Sequence, residues 1–318
     1  MPLLEDMERI NAAQGGAAAI DHVRRLADAD DAEALLMRGE WRLWGAYLPQ
    51  DLAGGYADIA RAAALGDPGA AMAQANLLAS GTGVASDFAA ARAMLDVAAA
   101  HLPIAAEQAA LLARMSDRLP PAAQMLSADP PVFNVEALLD AEECAYLIAR
   151  AEPRLQPSSV VDPVTGARIP HPIRTSDGTN FSPLDEDLVL HAINRRIAAA
   201  TGTHVGQGEP LHVLRYRPGQ EYRPHLDGLP AVRNQRVLTA LVYLNDDYEG
   251  GETDFRLLHL RVRGQAGDAL VFRNSDAQGR ADPRTEHAGL PVSDGVKWLA
   301  SRWIRGAPFH PWRPETTV

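Results

Sequence analysis

Apolar residues, most of them alanine and leucine, recur at helical spacing through about the first 125 residues, interrupted by Gly, Pro and Asp. This pattern predicts helices over residues 17–28, 32–47, 56–66, 69–80, 87–100 and 104–116, and no strand among them. Paired prolines follow at Leu119-Pro120-Pro121 and Asp129-Pro130-Pro131, where they disfavour helix and predict a stiff linker. Beyond them the periodicity changes. Helices are predicted over 136–151 and 185–200, and the remainder alternates in short strand-like runs at 211–216, 236–244, 258–264, 268–273 and 296–304. Many short strands separated by Gly, Asn and Asp turns predict a sandwich or jelly roll. The expected architecture is therefore α+β, with a helical region at 1–126 followed by a β-rich domain at 127–318.

The helical part repeats itself. Asp51-Leu52-Ala53 returns 36 positions later as Asp87-Phe88-Ala89, and Ala62-Ala63-Ala64 returns at the same offset as Ala98-Ala99-Ala100. Two-helix units of this period predict stacked hairpins. The run Ala70 to Leu78, then Gly81-Thr82-Gly83-Val84 and Asp87, resembles Sel1-like repeats, relatives of the tetratricopeptide repeat. That resemblance covers about two repeats, with a degenerate third at 101–116, and implies a concave face on which another protein docks.

Composition narrows the function classes. Hydrophobic residues make up 47% and charged residues 22%, a globular balance. A net charge of −11 argues against a general binder of nucleic acid or acidic membranes. The helical first 120 residues carry −7 of it, so a local basic cleft in the rest stays open. No stretch approaches the roughly 20 apolar residues that span a bilayer. The acidic start of the chain is unlike a signal peptide. Cys144, the one cysteine, lies in an apolar helical run and reads as a buried thiol, which predicts a cytoplasmic protein. Of the 30 basic residues 29 are arginine, and the exception is Lys297. Codon bias explains the arginines; the lysine is either chance or a place where an ammonium does what a guanidinium cannot.

The segment Tyr216-Arg217-Pro218-Gly219-Gln220-Glu221-Tyr222-Arg223-Pro224-His225-Leu226-Asp227 carries candidate chemistry. On a strand, His225 and Asp227 share a face. With His287 from Thr285-Glu286-His287-Ala288-Gly289 they compose the two-histidine, one-carboxylate facial triad of non-haem Fe(II) oxygenases, which leaves open metal positions for a bidentate cosubstrate and O2. A His-x-Asp pair by itself is commonplace. Lys297 lies ten residues beyond His287, an even offset that places a cation where it can neutralise the distal carboxylate of 2-oxoglutarate. The remaining histidines have no ligand spacing.

Residues of about 130 to 306 resemble the catalytic domain of the prolyl 4-hydroxylase family of Fe(II)/2-oxoglutarate dioxygenases. The matching pieces, in order, are Glu142-Glu143-Cys144, Val160-Val161-Asp162, Ile173-Arg174-Thr175-Ser176, Tyr216, Gly219-Gln220, Tyr222, His225 and Asp227. Then follow Arg236, Thr239, Tyr243-Leu244-Asn245, Gly250-Gly251-Glu252-Thr253, Gly267-Asp268-Ala269-Leu270, His287, Pro291-Val292, Gly295, Lys297-Trp298 and Trp303. The resemblance implies a double-stranded β-helix in which His225, Asp227 and His287 bind Fe(II) and Lys297 pairs with the 2-oxoglutarate carboxylate. It also implies that Thr239, Tyr243 and Tyr216 hydrogen-bond that cosubstrate, and that Arg236, Trp303 and Tyr222 face the substrate. The resemblance further implies O2 as the co-oxidant, succinate and CO2 as by-products, and ascorbate as an accessory reductant. The expected reaction is hydroxylation of a peptidyl proline on a protein or peptide. Hydroxylation of another residue or of a small molecule, and an interaction module with an idle oxygenase domain, stay open beside it. Two features depart from the family: only eight residues separate Asp227 from Arg236, which leaves Asp162 to Pro172 as the other candidate lid, and the segment from Phe255 to Gly264 is compact.

Overall fold

The computed structural model describes residues 2–115, 121–161, 168–230, 232–276 and 278–312. Residues 119 and 120 of the expected linker and 162–167 of the candidate lid lie outside the described residues. The chain divides into two compact units, Met1–Ser116 with Pro183–His191, and Asp117–Ser182 with Ala192–Val318.

Among the described residues the first unit holds seven helices, α1 (Pro2–Gln14), α2 (Gly16–Asp28), α3 (Ala32–Trp44), α4 (Leu52–Ala64), α5 (Pro68–Ser80), α6 (Phe88–Ala99) and α7 (Pro103–Met115), with the start of a later one. The sequence repeat is visible in how the helices begin and end. Asp31, Asp51, Asp67 and Asp87 precede α3 to α6, and each carboxylate accepts the backbone N–H three residues on, the ordinary N-cap bond. Gly45 and Gly81 end α3 and α5 with left-handed φ of 68° and 74°. The cap at Asp51 starts α4 four residues earlier than its apolar pattern suggested, because the cap outweighs Gly54-Gly55. α1 was not anticipated; its only buried apolar side chain is Leu3, too little to print a helical stripe. Small residues bring α3 and α4 together: a Cβ on Gly39 would meet Ile59 and the Gly55 carbonyl at 2.6 and 2.9 Å. Asp58, buried on α4, accepts from Arg38 at 2.8 and 2.9 Å and from Arg42 at 2.7 Å. Residues 183–191 join this unit through Asn76, which donates to the Leu184 carbonyl, and Gln108, which donates to Asp187.

In the second unit sixteen strands follow one another among the described residues, beginning with β1 (Ala123–Ala128), β2 (Pro131–Val135), β3 (Gln156–Pro157), β4 (Ser159–Val161), β5 (Arg168–Pro170), β6 (Asp177–Asn180), β7 (His212–Tyr216) and β8 (Tyr222–His225). Next come β9 (Arg236–Tyr243), β10 (Tyr248–Gly250), β11 (Thr253–Phe255), β12 (Leu260–Val262), β13 (Ala269–Arg273), β14 (His287–Gly289), β15 (Val292–Gly295) and β16 (Lys297–Arg305). An eight-stranded sheet runs β1-β2-β13-β9-β16-β7-β6-β3, and a four-stranded sheet runs β12-β11-β14-β8. From β7 onward the chain passes between these two sheets, β7, β9, β13 and β16 falling in the larger and β8, β11 and β14 in the smaller. This alternation is a double-stranded β-helix. Its buried core joins Leu214, Leu241, Leu270, Phe272 and Leu299 of the large sheet to Phe255 of the small one.

The hairpin of β1 and β2 stands where part of the linker was expected. Pro131 is the first residue of its strand, a position where a missing N–H does little harm. Helix α8 (Ala141–Ala151) starts five residues later than expected because Asp140 and Glu143 form a reciprocal capping box at its N-terminus. Cys144 on α8 is buried, and burial pushes its thiol up to about 12, as an inert structural thiol requires. Helix α9 (Leu188–Thr201) contributes Arg196, which donates to both oxygens of the buried Glu143 at 2.6 and 2.7 Å and to the Leu138 carbonyl. Removing one partner of a buried pair strands the other, so Arg196→Ala should lower stability by about 3–5 kcal/mol. Urea denaturation followed by circular dichroism checks this; an unchanged midpoint would show that Glu143 has another source of compensation.

Candidate active site

The site begins with one cross-strand pair. His225 ends β8, His287 opens β14, and the two are direct partners in the antiparallel ladder. Asp227 lies two residues past His225, beyond the end of the strand, in a bend that turns its carboxylate back between the imidazoles. Its Oδ1 is 3.7 Å from His225 Nε2 and its Oδ2 is 3.8 Å from His287 Nε2. All three ligand-type atoms lie within 4.8 Å of one another, and no other group of three such residues converges among the described residues.

Both imidazoles are oriented by the same local device. His225 Nδ1 lies 2.8 Å from the Arg223 carbonyl, and His287 Nδ1 lies 3.0 Å from the Thr285 carbonyl. A carbonyl oxygen only accepts, so Nδ1 carries the hydrogen and Nε2 presents its lone pair to Asp227. The rings are packed as well as bonded. Tyr222 stacks on His225 at 3.4 Å and 17°, while Phe255 and Phe272 pack on His287 at 5.4 and 4.7 Å. Burial, together with the neighbouring His287, pushes His225 down to about 4 against the opposing pull of Asp227. Burial would raise the Asp227 carboxyl, but the two imidazoles and a 2.7 Å hydrogen bond from the Thr239 hydroxyl outweigh it and hold it below its usual range. At neutral pH the centre thus presents an ionised carboxylate and the unprotonated His225 ring. The Nε2–carboxylate separations exceed hydrogen-bond length. Lone pairs aimed at a shared point without a proton between them suit a cation.

A pocket opens from this centre. Arg174, Tyr216, Tyr222, Thr253, Lys297 and Trp303 line it beside the three converging residues, over an apolar floor of Leu214, Leu241 and Leu299. Lys297 opens β16, where it pairs in register with Tyr216 of β7. It is buried, its Nζ donates to the Gly251 carbonyl at 2.7 Å, and the Tyr216 and Tyr243 rings lie 5.6 and 5.5 Å away. Burial pushes its ammonium down to about 8, partly offset by Glu252. One carbonyl leaves an ammonium with three hydrogens incompletely satisfied.

The other expected site residues fall in distinct places. Tyr216 lines the pocket, and burial pushes its phenol up to about 12 although Ser176 hydrogen-bonds it. Tyr243 is fully buried, raised by burial, with its hydroxyl 3.2 Å from Thr253 Oγ1. The Thr239 hydroxyl is engaged with Asp227. Trp303 reaches the pocket, while Arg236 lies 3.9 Å above its ring and is held by Glu209 at 2.6 and 2.8 Å. Thr253 and Arg174 are among the lining residues with no role assigned from sequence. Thr253 follows Gly250-Gly251-Glu252, and only its 3.2 Å bond to Tyr243 marks its direction. Arg174 lies 5.2 Å over the Tyr222 ring and donates to Ser158, and its bridge to Tyr222 is a long-range pairing that periodicity does not print.

The depressed Lys297 ammonium has a measurable consequence. Between about 8 and its ordinary value of 10.5 the unfolded chain holds a proton that the folded chain has released, so stability rises with pH across that window. The stability that Lys297→Met gains over the wild type at neutral pH should therefore shrink as pH is raised through the window, by urea melts on both proteins. A difference independent of pH would place the lysine in water.

Residues 211–305 match the family model of the 2OG-Fe(II) oxygenase superfamily. Prolyl 4-hydroxylase 1 of Arabidopsis thaliana is 38% identical over 201 residues, covering 57% of this chain and 71% of the relative. The viral collagen prolyl hydroxylase of Paramecium Bursaria Chlorella virus-1, solved as its 2OG complex, aligns with a TM-score of 0.46 at 30% identity over 55% of this chain and 96% of that one. A Sel1 repeat protein from Oxalobacter formigenes aligns with a TM-score of 0.32 at 24% identity, covering 34% of this chain and 85% of that one. On the family model and the extent of its identity with the plant enzyme, the chain belongs to the prolyl 4-hydroxylase family and is an Fe(II)- and 2-oxoglutarate-dependent dioxygenase.

Proposed function

We propose that this enzyme hydroxylates a peptidyl proline, with iron held by His225, Asp227 and His287 and 2-oxoglutarate anchored by Lys297. The observation that carries the reading is the convergence of two Nε2 lone pairs and one buried carboxylate within 4.8 Å, beside a buried ammonium. Two nitrogens and one oxygen on one side of a metal suit Fe(II) and leave its other positions open. The bound iron supplies the activation of O2 that an unactivated C–H bond requires. Every other task falls to the chain.

Lys297 neutralises the distal carboxylate of the cosubstrate, and Thr253 and Tyr216 offer hydroxyls along its length. The apolar floor excludes water, which strengthens the ammonium–carboxylate attraction. Trp303 and Tyr222 form aromatic walls suited to a proline ring, and Arg236, tied to Glu209, fixes the Trp303 face. The N-terminal region, helical through Met115, is read as Sel1-like repeats that dock the protein substrate or a partner of it, ahead of a catalytic domain at 127–318. No helix among the described residues is long and apolar enough to cross a membrane.

The site's chemistry does not itself choose proline; relatives carrying the name prolyl 4-hydroxylase favour it. The purified enzyme with Fe(II), 2-oxoglutarate and a protein extract of its own host should add single oxygen atoms to peptidyl prolines, seen by mass spectrometry and matched by succinate. Oxygen on another residue or on free metabolites would overturn the proline assignment, and no product with any fraction would favour an idle oxygenase domain.

A further inference from the structure

The iron ligand Asp227 is not held by the metal site alone. Its Oδ2 accepts from Thr239 Oγ1 at 2.7 Å, and Thr239 Oγ1 in turn accepts from Asn274 Nδ2 at 2.8 Å. All three side chains are buried, with relative exposures of 6%, 0% and 1%. Accepting oxygens dictate the direction of this chain. An ionised carboxylate has no hydrogen to give, so the single hydroxyl hydrogen of Thr239 must lie toward Asp227. The Asn274 amide can then only donate to Thr239, which fixes the orientation of its oxygen and nitrogen by chemistry.

Asn274 is also the node through which the second histidine is placed. Its backbone N–H donates to the Val237 carbonyl, and its own carbonyl accepts from Asp282 N–H, both at 2.9 Å. The Asp282 carbonyl accepts from Thr285 N–H at 3.0 Å and Thr285 Oγ1 at 2.8 Å. The Thr285 carbonyl is the group that orients His287. One residue therefore reaches Asp227 through its side chain and His287 through its backbone.

We propose that Thr239 and Asn274 are positioning residues for the iron site: a directed hydrogen-bond relay, Asn274 to Thr239 to Asp227, that fixes the carboxylate before metal arrives. This rests on the iron-site reading above and changes the role expected for Thr239, whose only hydroxyl hydrogen goes to the metal ligand and not to the cosubstrate. Asn274 had no role in the sequence reading. Partners of this kind orient a ligand and raise its affinity for metal.

The test is Mn(II) binding to the metal-free full chain by titration calorimetry, alongside the 2-oxoglutarate KM at saturating Fe(II). Wild type should bind Mn(II). Thr239→Val should weaken that binding by about 10–100-fold, Asn274→Ala less but in the same direction, and Thr239→Ser should restore it. Because the relay is serial, the double variant should bind no more weakly than Thr239→Val alone. The 2-oxoglutarate KM should stay near the wild-type value throughout. Should Thr239→Val fail to fold, Asn274→Ala and Thr239→Ser carry the comparison. Affinities within about twofold of wild type in both Thr239→Val and Asn274→Ala, against the loss such partners ordinarily cause, overturn the relay. A raised 2-oxoglutarate KM with unchanged metal affinity overturns it too and returns Thr239 to the cosubstrate. Failure of wild type itself to bind metal would instead refute the iron site.

Discussion

The site depends on one register: His225 facing His287 across the β8–β14 ladder, with the Asp227 carboxylate turned back between them. Side chains alternate along a strand, so a slip of one residue would send one imidazole to the opposite face. The fold secures the register on both sides. β14 lies between β8 and β11, and the packing of Phe255 and Phe272 on His287 ties the small sheet to the large one. The pairing of Lys297 with Tyr216 in the large sheet then sets where the buried ammonium sits, the point at which we propose the cosubstrate's charge is met. Two ladders in two facing sheets thus define the two ends of the reacting space.

Charge is distributed to match. Several arginines near the strands are paired with carboxylates: Arg236, through two nitrogens, and Arg305 on Glu209, Arg215 and Arg217 on Asp177, Arg196 on Glu143. These pairs are structural, and they leave the guanidiniums little charge to offer a ligand. Lys297 differs. Among the described residues no carboxylate lies within ion-pair distance of it, and it donates to the Gly251 carbonyl. A compact ammonium on a flexible stem fits a narrow apolar pocket where a guanidinium fork would not. In a chain of 29 arginines, the one lysine stands buried in the pocket beside His225, Asp227 and His287, which is why we assign it the anionic cosubstrate.

Much of this was legible in the sequence because it is written locally. The four Asp caps and two Gly ends that repeat through α3 to α6 are short-range signals, and so are the strands β7, β9, β13 and β16 with their continuous apolar runs. Motif spacing also singled out His225, Asp227, His287 and Lys297, which the fold brings to one pocket, although Asp227 lies past the end of its strand and reaches its position by a bend. What the sequence did not reveal depends on direction and on distant partners. Nothing local tells whether the Thr239 hydroxyl turns toward a cosubstrate or toward Asp227; the approach of the Asp227 carboxylate does, and Asn274, thirty-five residues away, donates to the same oxygen. The β1–β2 hairpin was read as linker because its prolines were weighed without the β13 edge that accepts it. Arg174 and Thr253 were seen as pieces of an ordered match, but their place in the pocket is fixed by tertiary packing.

The most direct measurement of the central claim is the visible absorption of the enzyme with Fe(II) and 2-oxoglutarate in the absence of oxygen. If His225, Asp227 and His287 hold the iron and Lys297 seats the 2-oxo acid against it, the wild type shows the weak charge-transfer band of the chelate and His225→Ala loses it. No band in the folded wild type, or the same band in His225→Ala, would contradict the assignment.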